Sequence, residues 1–448
     1  MTATAPAASL SGAFGTGFKF GAATAAYQIE GAAREDGRGE SIWDRFCTLP
    51  GAVANGDTGD VACDHYHRWE EDLDLLSALG LESYRFSIAW PRVQPDGRGA
   101  LNHKGVAFYR RLVESLLERG IEPVATLYHW DLPQARQLAG GWAVRETSSY
   151  FAEYAAAMAD ALGDVVAGWV THNEPWVVAF LGHAHGVKAP GVRDWATALQ
   201  VSHNLLLSHG LAVDALRAST AAPVGITVNL TPMRPVSPRD VQAAVRMDGY
   251  QNRWFLDPVL RGAYPEDMVE HYERLYGPLG FGELELVSRP IDFLGVNYYN
   301  PTAVRASRVA PLSADAVTSR PPTTAMGWTV DADGLYEVLT RLRRDYGDLV
   351  IYITENGAAF DDAVVDDGAI EDSARVSYLA DHLEAVRRAI ADGVDVRRYY
   401  AWSLLDNFEW EHGYDKRFGI VRVDFDTQVR TVKRSGLWYR DYIAGVRS

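Results

Sequence analysis

The sequence predicts a protein of the α/β class, a single (β/α)8 TIM barrel with extended βα loops. Eight short apolar runs alternate with helix-like segments, and the composition does not change along the 448 residues. Most of the runs are almost continuously apolar, which is typical of parallel strands buried on both faces. A doubly wound open sheet is the second fold considered. It is less favoured because no G-x-G-x-x-G motif follows a strand and no P-loop is present.

The predicted elements follow from these apolar patterns. The strands are predicted at residues 18–23, 83–90, 123–128, 166–171, 224–229, 293–298, 350–354 and 398–404. Apolar residues at helical spacing predict helices over 69–79, 104–119, 147–162, 196–218 and 375–392. Residues 305–324 and 361–372 are predicted as long loops after the sixth and seventh strands. The second of these loops is acidic, so we expect it to be a solvated surface.

Composition excludes several classes of function. The chain has 43 basic and 59 acidic residues, a formal charge of −16, which argues against nucleic acid or an anionic membrane as a partner. Two cysteines exclude a disulfide scaffold and a four-thiolate zinc site. No run of 18 apolar residues is present, and the start of the chain lacks the pattern of a secretory signal. We therefore expect a cytoplasmic protein with a flexible tail at 1–12 and one (β/α)8 domain at 13–448.

Two carboxylates stand out at predicted strand ends, where barrel enzymes carry their chemistry. Glu174 follows the fourth strand and Glu355 the seventh, and each is next to an asparagine. A pair of carboxylates at a pocket mouth is what glycoside cleavage requires, one protonated and the other ionised. The Trp, Tyr, Asn, Gln and His residues at other strand ends suit a sugar, whose ring has apolar faces and polar hydroxyls. No metal or cofactor is predicted. His65 and His67 with Cys63 look like possible ligands, but their spacing fits no common zinc pattern.

A series of motifs in order along the chain then gives a resemblance. The motifs are AAYQIEG (25–31), CDHYHRWEEDLDLL (63–76), YRFSIAWPR (84–92), TLYHWDLP (126–133), THNEPW (171–176), FLGVNYY (293–299), YITENG (352–357), WSLLDNFEW (402–410), GYDKRFGI (413–420) and RTVKRSGLWY (430–439). Together they cover almost the whole chain. The chain resembles the retaining β-glucosidases of glycoside hydrolase family 1.

The resemblance implies a mechanism for the two carboxylates. Glu174 matches the acid/base of the family's NEP motif, and Glu355 matches the nucleophile of its TENG motif. The reaction would be a double displacement with retained configuration, which requires carboxyl groups roughly 5–5.5 Å apart. Arg85 and Tyr299 would hold Glu355 ionised and in place. The resemblance thus implies a raised pKa for Glu174 and a low pKa for Glu355.

The resemblance also implies the sugar-binding residues. The bound sugar, or glycone, would be held by Gln28, His129, Asn173, Glu409 and Trp410, above Trp402 as a platform. Trp130, Asn297 and Phe418 would shape the same subsite, and Trp328 would line the side of the leaving group, or aglycone. The implied substrates are small molecules with a terminal β-D-glucosyl residue: cello-oligosaccharides and aryl or alkyl β-glucosides. β-Galactosides and β-fucosides are expected as further substrates.

Three competing functions are compatible with the same motifs. A 6-phospho-β-glycosidase is disfavoured, because Glu409 would repel a phosphate. A transglycosylase stays open. A catalytically inactive sugar-binding protein is less favoured, because such proteins usually lose one carboxylate and both are present here. His172 and Lys188 depart from residues frequent in the family, and both are expected to touch the aglycone side at most. The oligomeric state also stays open between a monomer and a small homo-oligomer.

Overall fold

A closed barrel of parallel strands forms the centre of the molecule. The computed structural model describes residues 14–317, 321–365 and 368–448, so the predicted tail at 1–12 lies outside the described residues. Within them, eight strands close in chain order, which confirms the predicted class and excludes the open sheet. The strands are β1 (Lys19–Ala23), β2 (Ser83–Ser87), β3 (Glu122–Tyr128), β4 (Gly168–Asn173), β5 (Val224–Asn229), β6 (Phe293–Tyr298), β7 (Val350–Asn356) and β8 (Asp395–Trp402).

The strand boundaries differ from the predicted ones mainly at polar ends. β5 and β6 match the predicted ranges, whereas β4 and β7 each continue two residues further, to Asn173 and Asn356. β2 ends at Ser87, because a short helix with a proline in its first turn begins at Trp90. β8 begins and ends earlier than predicted, at Asp395 and Trp402. The longer β4 and β7 bring both candidate carboxylates to the rim of the barrel.

Helices surround the barrel. Those of ten or more residues are His65–Ala78, His103–Glu118, Glu146–Leu162, Trp195–Ser219, Glu266–Tyr276, Ala332–Tyr346, Ser373–Ala391 and Arg434–Arg447. Shorter α-helices are Ala26–Ile29, Ile42–Cys47, Trp90–Val93, Gln134–Leu138, Val241–Asp248, Trp254–Arg261 and Leu284–Val287. Short 3₁₀ segments lie at Ala54–Gly56, Gly141–Ala143, Pro238–Asp240 and Trp410–His412, and π-helical segments at Val177–Leu181 and Gly249–Arg253.

The helix His103–Glu118 illustrates how the sequence forms this outer ring. Asn102 caps it by accepting a hydrogen bond from the backbone of Lys104. Its buried side chains include Leu112, Val113 and Leu116, which recur at the spacing of one helix face. Full burial of one such side chain contributes about 1.5–3 kcal/mol. The same apolar stripe therefore forms the helix and attaches it to the barrel.

The extended loops contain more order than the sequence predicts. Strands Thr302–Ala306 and Ala314–Ala316 lie within or next to the predicted loop 305–324 and form a small sheet with Met233–Pro235. The predicted acidic loop contains the strand pair Ala363–Val364 and Ile370–Glu371. A further strand pair, Val421–Val423 and Arg430–Val432, follows β8. Between residues 14 and 448, in the ranges described, no helix meets the length and apolarity needed to cross a membrane.

The predicted solvated surface at 361–372 is wrong in part. Asp362 and Asp372 have fully buried carboxylates that pair with Arg375. Asp362 also pairs with the buried Lys433. The loop is therefore attached to the body of the protein through charges that come from later in the chain. Sequence composition does not reveal such partners.

Aromatic packing fills the barrel interior below the candidate site. Phe293 of β6 stacks on Tyr352 of β7, with ring centroids 4.0 Å apart. This cluster of buried side chains continues to Trp402 and Phe418 at the upper rim. In this fold the barrel interior is a packed core, and the active site lies above it at the C-terminal rim.

Candidate active site

A pocket of about 390 Å³ opens at the C-terminal ends of the barrel strands, a size typical of small-molecule sites. It brings together most of the residues that the sequence singles out. The candidate residues that line it are His129, Trp130, Glu174, Asn297, Tyr299, Trp328, Glu355, Trp402, Glu409, Trp410 and Phe418. Arg85, Asn173 and Gln28 are fully buried directly behind this lining and contact it through hydrogen bonds.

Glu174 lies directly after β4 in a strained conformation. Its φ of 49° is in the left-handed region, as are those of Trp130 and Trp410 on the same pocket wall. Such strain costs on the order of 1–3 kcal/mol per residue and is concentrated at functional sites. The backbone N–H of Glu174 donates to Thr227 at 2.9 Å, and its carboxylate accepts from Asn297 Nδ2 at 2.6 Å. The carboxylate is thereby aimed into the pocket.

Glu355 lies near the end of β7 and has two strong donors. Arg85 Nη1 is 2.7 Å from Glu355 Oε1, and the Tyr299 hydroxyl donates to Glu355 Oε2 at 2.5 Å. Arg85 is itself fixed by donating to Thr126 and to Asn173. Hydrogen bonds that involve a charged donor and a charged acceptor are about twice as strong as neutral ones. The surroundings of Glu355 therefore stabilise an ionised carboxylate.

Burial dominates the proton affinities of both carboxylates. It raises the pKa of Glu174 to about 8, and the nearby charge of Glu355 contributes to this rise. Burial also raises the pKa of Glu355, although Arg85 and Tyr299 act in the opposite direction. The predicted rise for Glu174 is thus confirmed, whereas the predicted low pKa of Glu355 is wrong. The sequence shows the partners of Glu355 but not the depth at which it is buried.

The contacts nevertheless distinguish the two groups chemically. The Glu355 carboxylate accepts hydrogen bonds from a guanidinium and a phenol, whereas that of Glu174 accepts one from the amide of Asn297. When a single negative charge is shared between two buried carboxylates, it concentrates on the one with the stronger donors. The pair can therefore hold a proton on Glu174 and a charge on Glu355.

His129 lines the pocket and has one ring nitrogen without a partner among the described residues. Arg85 and Asn297 both donate to Asn173 Oδ1, which fixes the orientation of the Asn173 amide. Asn173 Nδ2 then donates to His129 Nε2 at 3.1 Å, so the ring proton is on Nδ1. Burial lowers the pKa of His129 well below its ordinary value. Nδ1 has no hydrogen-bond partner among the described residues, so it can donate to a ligand hydroxyl.

Glu409 forms the acidic end of the pocket. Gln28 Nε2 lies 3.4 Å from Glu409 Oε2 and also donates to Asn407 and to the Phe408 carbonyl. Burial raises the pKa of Glu409 to about 8, while the charge of Lys188 acts to lower it. A carboxyl group at this position can accept from two hydroxyls of a sugar, or donate to one when it is protonated.

Aromatic rings supply the remaining walls. Trp402 lies nearly parallel to His129, with centroids 5.9 Å apart, and Trp130 packs on Trp410 at 4.5 Å. Trp328 lies 6.1 Å from Phe418. Ring faces of this kind cover the apolar C–H faces of sugars. Within the described ranges, no group of three or more His, Cys, Asp or Glu side chains is arranged to hold a metal ion.

The sequence analysis did not identify several of the residues that line the pocket. Asn229 ends β5, the strand whose end carries no predicted site residue, and its Oδ1 has no partner among the described residues. The rule that chemistry lies at strand ends could have found it. Further residues that line the pocket without a predicted role are Trp176, Val177, Leu181, Leu230, Thr231, Gln251, Asn300, Thr302, Met326, Glu411 and His412.

The two departures from the family pattern have different positions. Lys188 lines the pocket. His172, expected at most on the aglycone side, lies instead between β4 and the outer helices, where it contacts Ser208 at 2.8 Å and Phe151 at 4.4 Å. It is fully buried and does not line the pocket. The reason is the alternation of side chains along a strand, which directs His172 outward and Asn173 inward.

Comparisons with known proteins show the family to which the chain belongs. The sequence-family model described as glycosyl hydrolase family 1 matches residues 10–446. Beta-glucosidase A of Acetivibrio thermocellus is 52% identical over 434 residues, which cover 95% of this chain and 97% of the relative. A bifunctional beta-D-glucosidase/beta-D-fucosidase of Bifidobacterium breve is 46% identical, over 96% of this chain and 98% of the relative.

Solved structures are similar over the same extent. The structure of a beta-glucosidase from Thermotoga maritima in complex with deoxynojirimycin has a TM-score of 0.93 and 47% identity. The match covers 97% of this chain and 99% of that one. The family model and these relatives span nearly the whole chain. The chain therefore belongs to glycosyl hydrolase family 1.

Proposed function

We propose that the protein is a retaining β-glucosidase and that residues 13–448 act as its catalytic domain. The observation that carries the proposal is the asymmetric carboxylate pair, with Glu355 held by Arg85 and Tyr299 and Glu174 held by an amide. The pocket around the pair offers ring faces, amides and an imidazole donor, which suit a sugar. The relatives named as β-glucosidases support the same assignment.

In the first step, Glu355 attacks the anomeric carbon and the bond to the leaving-group oxygen breaks. Glu174 donates its proton to that oxygen, so the aglycone departs as a neutral alcohol. In the second step, Glu174 accepts a proton from water, and the water oxygen replaces Glu355 at the anomeric carbon. Two inversions give the sugar its original β-configuration. The pKa of about 8 at Glu174 keeps this group protonated at neutral pH, as the first step requires.

We infer that the glycone is held between Glu409 and His129, above Trp402. His129 Nδ1 and Gln28 Oε1 are buried atoms without partners among the described residues. Buried polar atoms are normally paired, so we propose sugar hydroxyls as their partners. Asn173, fixed by Arg85, would hold the 2-hydroxyl. A dianionic phosphate next to Glu409 would be costly to bury there and would be repelled whenever Glu409 is ionised, so an unphosphorylated sugar is preferred.

We further propose activity on β-fucosides and β-galactosides. The Bifidobacterium breve relative, named for both glucosidase and fucosidase activity, supports the fucoside part. A fucoside lacks the 6-hydroxyl, so Glu409 needs to form fewer hydrogen bonds with it than with a glucoside. Cello-oligosaccharides and aryl or alkyl β-glucosides are the proposed glucoside substrates. Degradation of cellulose fragments is the corresponding proposed role.

Alanine variants of the two carboxylates test the proposal. With 4-nitrophenyl β-D-glucoside, Glu355→Ala is expected to lower kcat by about 10⁴-fold or more, the loss typical of a removed nucleophile. Azide, a small external nucleophile, should then attack from the vacated face and give the α-glucosyl azide. With Glu174→Ala, azide should instead intercept the glycosyl–enzyme and give the β-azide.

The conservative variants Glu355→Gln and Glu174→Gln are the controls, because they keep the shape of each side chain. They should also be inactive if charge and proton transfer matter. An active Glu355→Gln variant, or the same azide anomer from both alanine variants, would contradict the assignment.

A further inference from the structure

Lys188 is a cation on the pocket wall that the two-step reaction does not use. It lies in the loop after β4, and its side chain is 11% exposed. Its Nζ is 2.5 Å from Glu411 Oε2 and 5.3 Å from the centre of the Trp130 ring. Glu411 follows Trp410 directly on the loop after β8. The ion pair thus joins the loops that carry Glu174 and Glu409.

The charges around Lys188 are mostly negative. The positive charge of Lys188 acts to lower the pKa of Glu174 and of Glu409, and all three side chains line the same pocket. The titratable side chains that line the pocket together with the ion pair include Glu174 after β4, Glu355 on β7, and Glu409 and His412 on the loop after β8. Arg85 pairs with Glu355 behind this lining, and the charges of Asp415 and Lys416 act on His412 next to Glu411. An anionic ligand would meet several carboxylates here. A neutral ligand that accepts hydrogen bonds is therefore the better match.

The Lys188 ammonium has more N–H donors than the one that its hydrogen bond to Glu411 uses. A lysine carries three N–H donors. In the part of the chain that the structure describes, Glu411 is its hydrogen-bond acceptor. The remaining N–H groups belong to a largely buried side chain that lines the pocket. Buried donors are normally paired, so a ligand oxygen is the fitting partner.

We propose that Lys188 is a specificity-determining residue that donates to a hydroxyl of a sugar leaving group. The inference rests on the proposed β-glucosidase function and extends it to the leaving group. The ammonium shares the pocket wall with Glu174, which protonates the leaving oxygen, and with Glu409, which holds the glycone. Because its ion pair joins the loops that carry these two residues, we place it at the border between glycone and leaving group. Glu411 and Trp130 orient it there. A nitrophenyl group presents an apolar ring at this border, whereas cellobiose presents hydroxyls.

The test compares cellobiose with 4-nitrophenyl β-D-glucoside in Lys188→Met, which keeps much of the side-chain length without the donors. The ratio of kcat/KM for cellobiose to that for the aryl glucoside is expected to fall about tenfold, the effect of one lost charge-assisted hydrogen bond. An unchanged ratio would overturn the proposal. Wild-type protein that hydrolyses neither substrate would be a different result, which overturns the proposed function as well.

Charge variants separate direct contact from an electrostatic effect. Lys188→Met removes a positive charge, so the pKa of Glu174 should rise and the basic limb of the kcat/KM profile should move to higher pH. Glu411→Gln should move it to lower pH, because the lysine charge is then unpaired. In the double variant the two charge changes cancel, so the limb should return toward its wild-type position while the cellobiose ratio stays low. A ratio restored in the double variant would overturn the proposal.

Discussion

At the scale of single residues, function in this pocket conflicts with stability. Glu174 has a left-handed backbone, a buried carboxyl group and a neighbouring carboxylate. Each of these features is unfavourable for folding, and each serves the proposed acid/base role. Buried catalytic groups commonly show this conflict between activity and stability.

Glu174→Gln should therefore stabilise the protein, and more so at higher pH. The pKa of Glu174 is raised to about 8 in the folded protein, so the folded state binds more protons than the unfolded state between about pH 4.5 and pH 8. Stability from this group is fully present at the acidic end of that range and is lost as the pH rises through the folded pKa. The neutral glutamine avoids this loss.

Thermal unfolding of wild type and Glu174→Gln at pH 5 and pH 8 measures the effect. The Tm difference in favour of the variant should be larger at pH 8. Glu285→Gln, on the short helix Leu284–Val287, is a control whose carboxylate lies outside the pocket. A Tm difference for Glu174→Gln that is equal at the two pH values, or larger at pH 5, would contradict the raised pKa.

At the scale of elements, buried charges fix the loops that carry the pocket residues. Lys433 is fully buried and pairs with Asp406 at 2.7 Å and with Asp362. Asp406 also accepts from the backbone of Gly419, next to Phe418. The lysine thus joins the loops after β7 and β8 to the start of the C-terminal helix.

Lys433→Met should destabilise the fold by about 3 kcal/mol, the lower end for a broken buried ion pair, because Asp362 and Asp406 lose the cation they share and keep Arg375 and Arg417. Arg434→Met is the matched control: its neighbouring, exposed pair with Glu371 is worth about 1 kcal/mol or less. Urea unfolding gives both free energies. Equal losses in the two variants would show that the buried network does not fix these loops.

The elements also show how far sequence reasoning reaches. The strands could be predicted because parallel strands buried on both faces are apolar throughout, and β5 and β6 match the predicted bounds. The ends of β4 and β7 were missed because Asn173 and Asn356 are polar residues that continue a strand. Their polar groups are satisfied by partners from other strands, which local patterns cannot show.

At the scale of the whole molecule, the barrel brings residues from distant parts of the chain into one pocket. Arg85 from β2, Asn297 from β6 and Glu355 from β7 are all in direct contact with one another or with Glu174. The sequence could predict which residues gather, because strand ends of a barrel share one rim. It could not predict the burial that raises the pKa of Glu355, because burial depends on the packing of all the loops together.

Double displacement by Glu355 and Glu174 at this rim is the central claim, and the anomer of the first product tests it most directly. Proton NMR during the first moments of hydrolysis of an aryl β-D-glucoside distinguishes the two glucose anomers before they equilibrate. Double displacement predicts β-glucose as the first product, with α-glucose appearing only at the rate of spontaneous mutarotation. Initial release of α-glucose would show a single displacement by water and would contradict the nucleophilic role of Glu355.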